Sequence, residues 1–217
     1  IPVADVDCAT LHRPEKVIDL CRAAGIRTVP TGIDHGTVTA ILEQGPVEIT
    51  TLRRDVSTDG RRATVAFADD WREDAARRDF TINALYAHPE TLEIDDFFGG
   101  LDDLEARRVR FIGDARTRIR EDHLRILRYF RFQARFGQEV DEEALAACTD
   151  LADTLKGISR ERVAMELLGI LALPDPVPTV RLMDKAGVLR VILPEARSGE
   201  IAALDRLAAQ EREYTVA

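Results

Sequence analysis

Through residues 1–113 hydrophobic and polar positions alternate in short runs; after about residue 114 they fall into helical spacing. IPVADVDCAT predicts a strand, with Val6 and Cys8 on a face suited to a core and Asp5 and Asp7 together on the other. PEKVIDLCRAAG predicts a helix, with Pro14 in its first turn and Gly25 at its stop. IRTVPT, GTVTAIL and VEITTLR read as strands, the last two joined by EQGP as a hairpin. The polar, glycine-containing DVSTDGRR predicts a mobile loop, and WREDAARRDFTINALYA a helix. TLEIDDFFGG and RRVRFIG read as strands with a turn between them.

TRIREDHLRILRYFRFQARFG predicts one helix, in which Leu124, Leu127 and Phe130 or Phe132 alternate with arginines. DEEALAACTDLADTLKG and SRERVAMELLGILAL predict further helices. Pro174, Pro176 and Pro178 interrupt the pattern before PTVRLMDKAGVLRVILPEA and GEIAALDRLAAQE resume it. The expected class is α+β. A mixed sheet with helices occupies residues 1–113, an all-helical segment 114–173, and the start of a further helical body 174–217. No internal repeat or low-complexity tract is visible.

Composition narrows this picture. Of 217 residues 45% are apolar, enough for a substantial core, and the formal net charge is −9. That charge argues against a general basic coat for nucleic acid and leaves a local basic groove open. Cys8, Cys21 and Cys148 form no metal-binding spacing and no disulfide framework, so a reducing, cytoplasmic setting is expected. No apolar run reaches the length of a membrane span, and no signal peptide opens the chain. The chain enters at Ile1 in mid-strand without a start methionine, and further residues are expected upstream.

Three groups of residues carry candidate chemistry. Asp5 and Asp7, two apart on a strand, point the same way. Two such carboxylates repel unless a cation sits between them, and hard oxygen ligands suit Mg²⁺. A pair of bound Mg²⁺ ions would stabilise the attacking and leaving oxygens of phosphoryl or nucleotidyl transfer. Taken alone, such a pair is more often a strand end meeting solvent. Glu48 on a neighbouring strand is a candidate third carboxylate, sharing a face with Thr50 and Leu52.

The second group lies in RRDFTINAL, where Arg78 can grip a phosphate or sugar oxygen and Asp79 can accept from a ribose hydroxyl. A helix start with Asp79 as its cap explains the same residues. The third lies in EDHLRILRYFRF, where Arg125, Arg128 and Arg131 repeat every three residues and Asp122 lies three before Arg125. An Asp that accepts beside an Arg that donates matches the pairing edges of cytosine and adenine and opposes those of uracil and guanine. Arg128 and Arg131 are then available for a triphosphate.

DVDCAT, HGTVTAIL, RRDFTINAL, DDFFGG, EDHLRILRYFRF and SRERVAMEL, in that order, resemble the class II tRNA nucleotidyltransferase and bacterial poly(A) polymerase family. This is the CCA-adding group of the polymerase-β-like superfamily, and the likeness runs to about residue 170. The resemblance implies a polymerase-β-like nucleotidyltransferase head followed by a helical neck and the start of a body. It implies a template-independent enzyme that adds C, C and A to the tRNA 3′ end from CTP and ATP with Mg²⁺. Asp5 and Asp7 would bind metal; Glu48 stays a catalytic candidate on its strand position alone. Arg78 and Asp79 would contact the nucleotide, Asp122 and Arg125 would read its base, and Arg128 and Arg131 would reach its phosphates. Gly99-Gly100 would form a flexible junction between head and neck, Ser159, Arg160 and Glu161 would begin the last neck helix, and residues 54–72 would form a flexible element in the switch from CTP to ATP. A Gly-Gly and Val-Arg-Asp segment normally precedes the acidic pair and would lie before Ile1. Poly(A) synthesis, partial CC- or A-addition, an inactive RNA-binding module and, distantly, a His-Asp phosphohydrolase are the alternatives.

Overall fold

A computed structural model describes residues 6–59 and 62–215, with side chains described for 6–54 and 66–212. The chain gathers into two compact units, residues 1–77 and 78–217, each with its own apolar core.

The first unit opens with strand β1 (Asp7–Thr10), helix α1 (Pro14–Ala23) and strands β2 (Arg27–Gly32), β3 (Thr37–Leu42) and β4 (Gly45–Thr51). The sheet order is β1-β4-β3-β2, with β1 parallel to β4 and the other pairs antiparallel. Helix α1 begins at Pro14, whose missing N–H costs nothing in a first turn, and ends before Gly25 at φ +73°. It covers one sheet face, where Val17 and Cys21 pack with Val38 and Ala40. Val38 is in register with Ile49 and Ala40 with Val47, so alternation assigns Thr37, Thr39, Glu48 and Thr50 to the opposite face. Val6 and Cys8, expected in the core, are exposed.

Within residues 54–72, where a loop was expected, residues 54–59 and 62–67 instead continue the β structure. Strands β5 (Arg53–Asp59) and β6 (Arg62–Phe67) pair antiparallel from Arg53↔Phe67 to Asp59↔Arg62. The Asp-Gly step flanked by Val- and Thr-containing runs is a hairpin signal that polarity alone concealed. Helix α2 (Trp71–Ala76) follows, capped by the Asp70 carboxylate, which accepts from the Arg72 N–H at 2.9 Å.

At the start of the second unit the helix expected to run through residues 71–87 does not continue; only a short 3-10 helix, Thr81–Asn83, forms. Phe80 is extended and fully buried, bridged to Phe111, with its ring 4.9 Å from Phe111 and 5.0 Å from Phe132. Burial of that ring overrides the helical pattern of the segment. Short strands β7 (Leu85–Ala87) and β8 (Ile94–Asp96) pair, and helix α3 (Gly100–Glu105) follows. RRVRFIG forms only isolated bridges, Phe80↔Phe111 and Arg108↔Glu139.

Gly99-Gly100 is not a loose junction. The Asp96 carboxylate accepts the N–H groups of Phe98, Gly100 and Leu101, and a Cβ on Gly100 would lie 2.3 Å from the Thr81 carbonyl oxygen. Beneath it the fully buried Asp103 accepts from the Thr81 hydroxyl at 2.6 Å, from Arg110 Nε at 2.9 Å and from Arg108 NH2 at 2.7 Å. Burial raises the Asp103 carboxyl pKa. The hydrogen bonds from Thr81, Arg110 and Arg108 outweigh it and hold the carboxyl below its ordinary range.

Helices α4 (Ala115–Glu121), α5 (Arg125–Phe136), α6 (Glu142–Asp150), α7 (Arg160–Leu171), α8 (Val177–Lys185), α9 (Val188–Ile192) and α10 (Ser198–Thr215) complete the unit. Ile126, Leu127, Tyr129 and Phe130 of α5 are fully buried and form the centre of its core. The single helix expected across residues 117–137 is two. Asp122 is extended, at φ −149°, and its carboxylate takes the Leu124 N–H at 3.0 Å. That local bond competes with helical continuation, which hydrophobic spacing cannot register. The fold is α+β, as expected. No helix among the described residues is long and apolar enough to cross a membrane.

Gly100→Ala is expected to cost about 1–3 kcal/mol, because the added methyl meets backbone rather than a movable side chain. Urea unfolding measures it; a cost below experimental error would show that the Gly100–Thr81 approach is not tight.

Candidate active site

In the first unit the acidic residues share the sheet face opposite α1. Asp7 is in register with Glu48 across the parallel β1–β4 pair, and Glu48 with Thr39 across β3–β4. Across an antiparallel pair, as for Glu48 and Thr39, directly opposed side chains on one face have Cβ atoms about 4.5–5.5 Å apart. Hydroxyls continue the row: Thr37 meets Thr50 at 3.0 Å and Thr31 meets Thr39 at 2.6 Å. Both carboxylates are exposed. An exposed pair of oxygen ligands on a stiff sheet has the chemistry for a hard divalent cation that keeps several waters. Asp5 lies outside the described residues. Among the described residues no three His, Cys, Asp or Glu gather as a metal cluster.

In the second unit three of the four arginines of α5, Arg125, Arg128 and Arg131, are each met by a carboxylate from a different place. Arg125 donates through NH1 to Glu121 at 2.5 Å and to the Arg118 carbonyl at 2.9 Å. Arg128 donates through Nε and NH2 to Asp79, both at 2.6 Å. Arg131 Nε donates to Glu166 of α7 at 2.5 Å. Gly169 makes room for this last pair, since a Cβ there would lie 2.9 Å from Arg131 Cδ.

Asp79 is 5% exposed. Besides Arg128 it accepts the Phe80 N–H at 3.0 Å and the Asn83 amide at 3.1 Å. Burial raises its pKa, while the Arg128 charge and these hydrogen bonds together hold it below the ordinary carboxylate range. Asp79 therefore caps nothing in a helix; it anchors its own turn to α5. Arg78 NH1 donates to the Asn83 carbonyl at 3.1 Å, and its guanidinium lies 5.1 Å from the Tyr86 ring centroid.

Asp122 and Arg125 were expected on one continuous helix, and the structure places them at a corner. The second Asp122 oxygen accepts from Arg162 NH2 of α7 at 2.9 Å. Three partners of the predicted residues were missed from sequence: Glu121, Arg162 and Glu166. Glu121 was within reach, since an acid four residues before an arginine is a known helical pair. Arg162 and Glu166 lie 40 and 35 residues from their partners, and only their own i, i+4 spacing in RERVAMEL hinted at a shared face.

Comparison with known proteins places these residues in a family. The model described as the poly A polymerase head domain matches residues 1–110. The chain belongs to the poly A polymerase head-domain family. A second model, a probable RNA- and SrmB-binding site of polymerase A, matches residues 137–199.

Within the family, the chain is 47% identical over 171 residues to the human mitochondrial CCA tRNA nucleotidyltransferase 1, covering 77% of this chain and 39% of that protein. It superposes with a TM-score of 0.80 and 34% identity on the CCA-adding enzyme of Bacillus stearothermophilus in complex with CTP, covering 96% of this chain and 49% of that one. A tRNA nucleotidyltransferase complexed with a primer tRNA and an incoming ATP analog gives a TM-score of 0.78 at 27% identity, over 97% and 60% of the two chains. The chain thus spans about half the length, or less, of the first relatives it matches.

Arg128→Met is expected to lower stability by about 3 kcal/mol at pH 7, because it leaves the buried Asp79 charge without its cation. The folded Asp79 carboxyl titrates below its unfolded value. The stabilisation is therefore complete above about pH 4 and vanishes as pH falls through the folded value. Urea unfolding across pH 2–7 should show wild type and variant converging in acid. A gap that persists at pH 2 would mean that the loss is one of packing.

Proposed function

We propose that this chain carries the catalytic and nucleotide-selecting part of a metal-dependent enzyme that adds C, C and A to the 3′ end of tRNA from CTP and ATP. The observation that carries this reading is the α4–α5 corner, where the Asp122 carboxylate and the Arg125 guanidinium are held by separate partners. An acceptor and a donor fixed in this way offer cytosine and adenine complementary hydrogen bonds. They leave uracil or guanine with buried groups unpaired, at about 1–3 kcal/mol each. The relatives named for CCA addition support the same reading.

Asp7, with Glu48 beside it and Asp5 upstream, is the proposed holder of Mg²⁺. When bound there, the metal supplies charge stabilisation to the oxygens of nucleotidyl transfer. Arg78 and Asp79 are assigned to the incoming nucleotide. Asp79 works chiefly by fixing Arg128, which keeps three of its five N–H donors beyond the two-point pair. Arg128 and Arg131 serve the phosphates, and their carboxylate partners set the directions of their remaining donors. The functional head would span residues 1–113, taking in the start of the second compact unit, with the neck at 114–173 and the body beginning at 174. Free thiols at Cys8, Cys21 and Cys148 suit a reducing compartment such as the cytoplasm.

Asp7→Ala should abolish Mg²⁺-dependent incorporation of labelled CTP into tRNA lacking its 3′ end; an unchanged rate would remove the metal assignment. Asp122→Ala should raise UTP incorporation relative to CTP by at least ten-fold, measured as a ratio of kcat/KM values. A ratio equal to that of wild type would end the base-reading assignment.

A further inference from the structure

Helix α7 is apolar on two sides. Val163, Leu167 and Ile170 pack into the core of the second unit. On the opposite side Met165, Leu168 and Leu171 are 75%, 64% and 38% exposed, and the exposed Ala164 and Ala172 complete a stripe. A helix that is apolar all round is normally buried all round, and large apolar side chains in one exposed row mark a contact surface. The row is symmetric about Leu168. At about 3.6 residues per turn, Ala164 and Leu171 lie to one side of the line through Leu168, and Met165 and Ala172 to the other. Charges bound the row. Arg160 and Glu161 are exposed at its start, and Asp175 stands just beyond its end, 3.3 Å from Arg212 of α10.

We propose that this stripe is an interface with a second copy of the chain, the two α7 helices packing antiparallel about a two-fold axis beside Leu168. An isologous contact needs a surface that fits itself, and the spacing supplies one. In the antiparallel arrangement Leu168 meets its own counterpart. Met165 of each copy falls against Ala172 of the other, and Leu171 against Ala164, so each of these larger side chains finds a smaller one. The ends match in charge as well. Arg160 of one copy lies level with Asp175 of the other, and Glu161 approaches the Arg212 beside it. A parallel arrangement would set Glu161 against Glu161. The helix is about 18 Å long. Its outer face alone is smaller than the roughly 800 Å² per partner of a standard interface, so dilution reverses the association.

The test uses the full-length protein, with the exposed Cys8 replaced by serine for the cross-linking variants; Cys21 and Cys148 are buried. Sedimentation over about 1–100 µM, where an interface below standard size dissociates, should show monomer passing into dimer. Leu168→Glu should raise the dissociation constant at least about ten-fold, because two carboxylates would face each other at the axis. Mild oxidation should join L168C to its own counterpart. It should leave M165C and A172C unlinked when each is alone and link them when they are mixed. L207C, at an exposed position of α10, is the control for chance collision and should stay unlinked. A protein that stays monomeric overturns the proposal. In that case an L168C thiol that resists maleimide shows that the chain's own residues cover the stripe, and one shielded only by added tRNA shows that RNA does. A dimer that L168E leaves intact, or that links M165C to itself, uses another surface or a parallel axis and overturns it equally. Should L168E not fold, the disulfide pattern decides.

Discussion

A helix that sets arginines at the margin of an apolar core has to find each of them a counter-charge, because a partly desolvated guanidinium without one is costly. Helix α5 meets this demand three times. Arg125 takes Glu121 from the end of α4, Arg128 takes Asp79 from the turn that buries Phe80, and Arg131 takes Glu166 from α7. Between these arginines, Ile126, Leu127, Tyr129 and Phe130 fill the core. The polar margin of α5 thus ties together the elements that its apolar side packs. The same three ion pairs aim whatever donors the arginines retain, so on the proposed reading of Arg125, Arg128 and Arg131 stability and recognition share one set of contacts.

The first unit solves a different problem with less machinery. Its sheet is covered by α1 on one face, and the other carries hydroxyls and two carboxylates in register. Threonine suits such a face, since its branched carbon favours the strand while its hydroxyl pairs across it. The row from Asp7 through Glu48 to Thr39 follows from pairing alone. A shift of one residue in β1 would turn Asp7 toward the helix-covered side.

Much of this was legible in the chain. Helix α1 was readable from Pro14 and Gly25, and the β3–β4 hairpin from two β-rich runs around a turn. The α+β order followed from the change in spacing near residue 114. Apart from the β5–β6 hairpin, whose local Asp-Gly signal was masked by polarity, what escaped notice shares a cause: a non-local or side-chain bond outweighed the local pattern. Phe80 left a helical pattern because its ring was worth more inside the aromatic cluster. The Gly99-Gly100 pair resembled a flexible joint because glycine signals freedom and close approach alike, and only coordinates reveal the Thr81 carbonyl beneath it. The candidate residues themselves were visible as charges among apolar neighbours. Their partners Arg162 and Glu166 were not, since ion pairing across 35–40 residues leaves no periodic trace.

On the proposed reading of Asp122 and Arg125 as base-selecting groups, the interruption between α4 and α5 has a further consequence. On an unbroken helix, an aspartate three residues before an arginine would sit one turn from it, and the two would neutralise each other. Such a pair would be spent on itself and would show little hydrogen-bonding character to a visiting base. By leaving the helix at residue 122, the chain gives each member a separate tether and prevents this self-cancellation. A protein surface can imitate a coding base only if its own acid and base are kept from coding for one another.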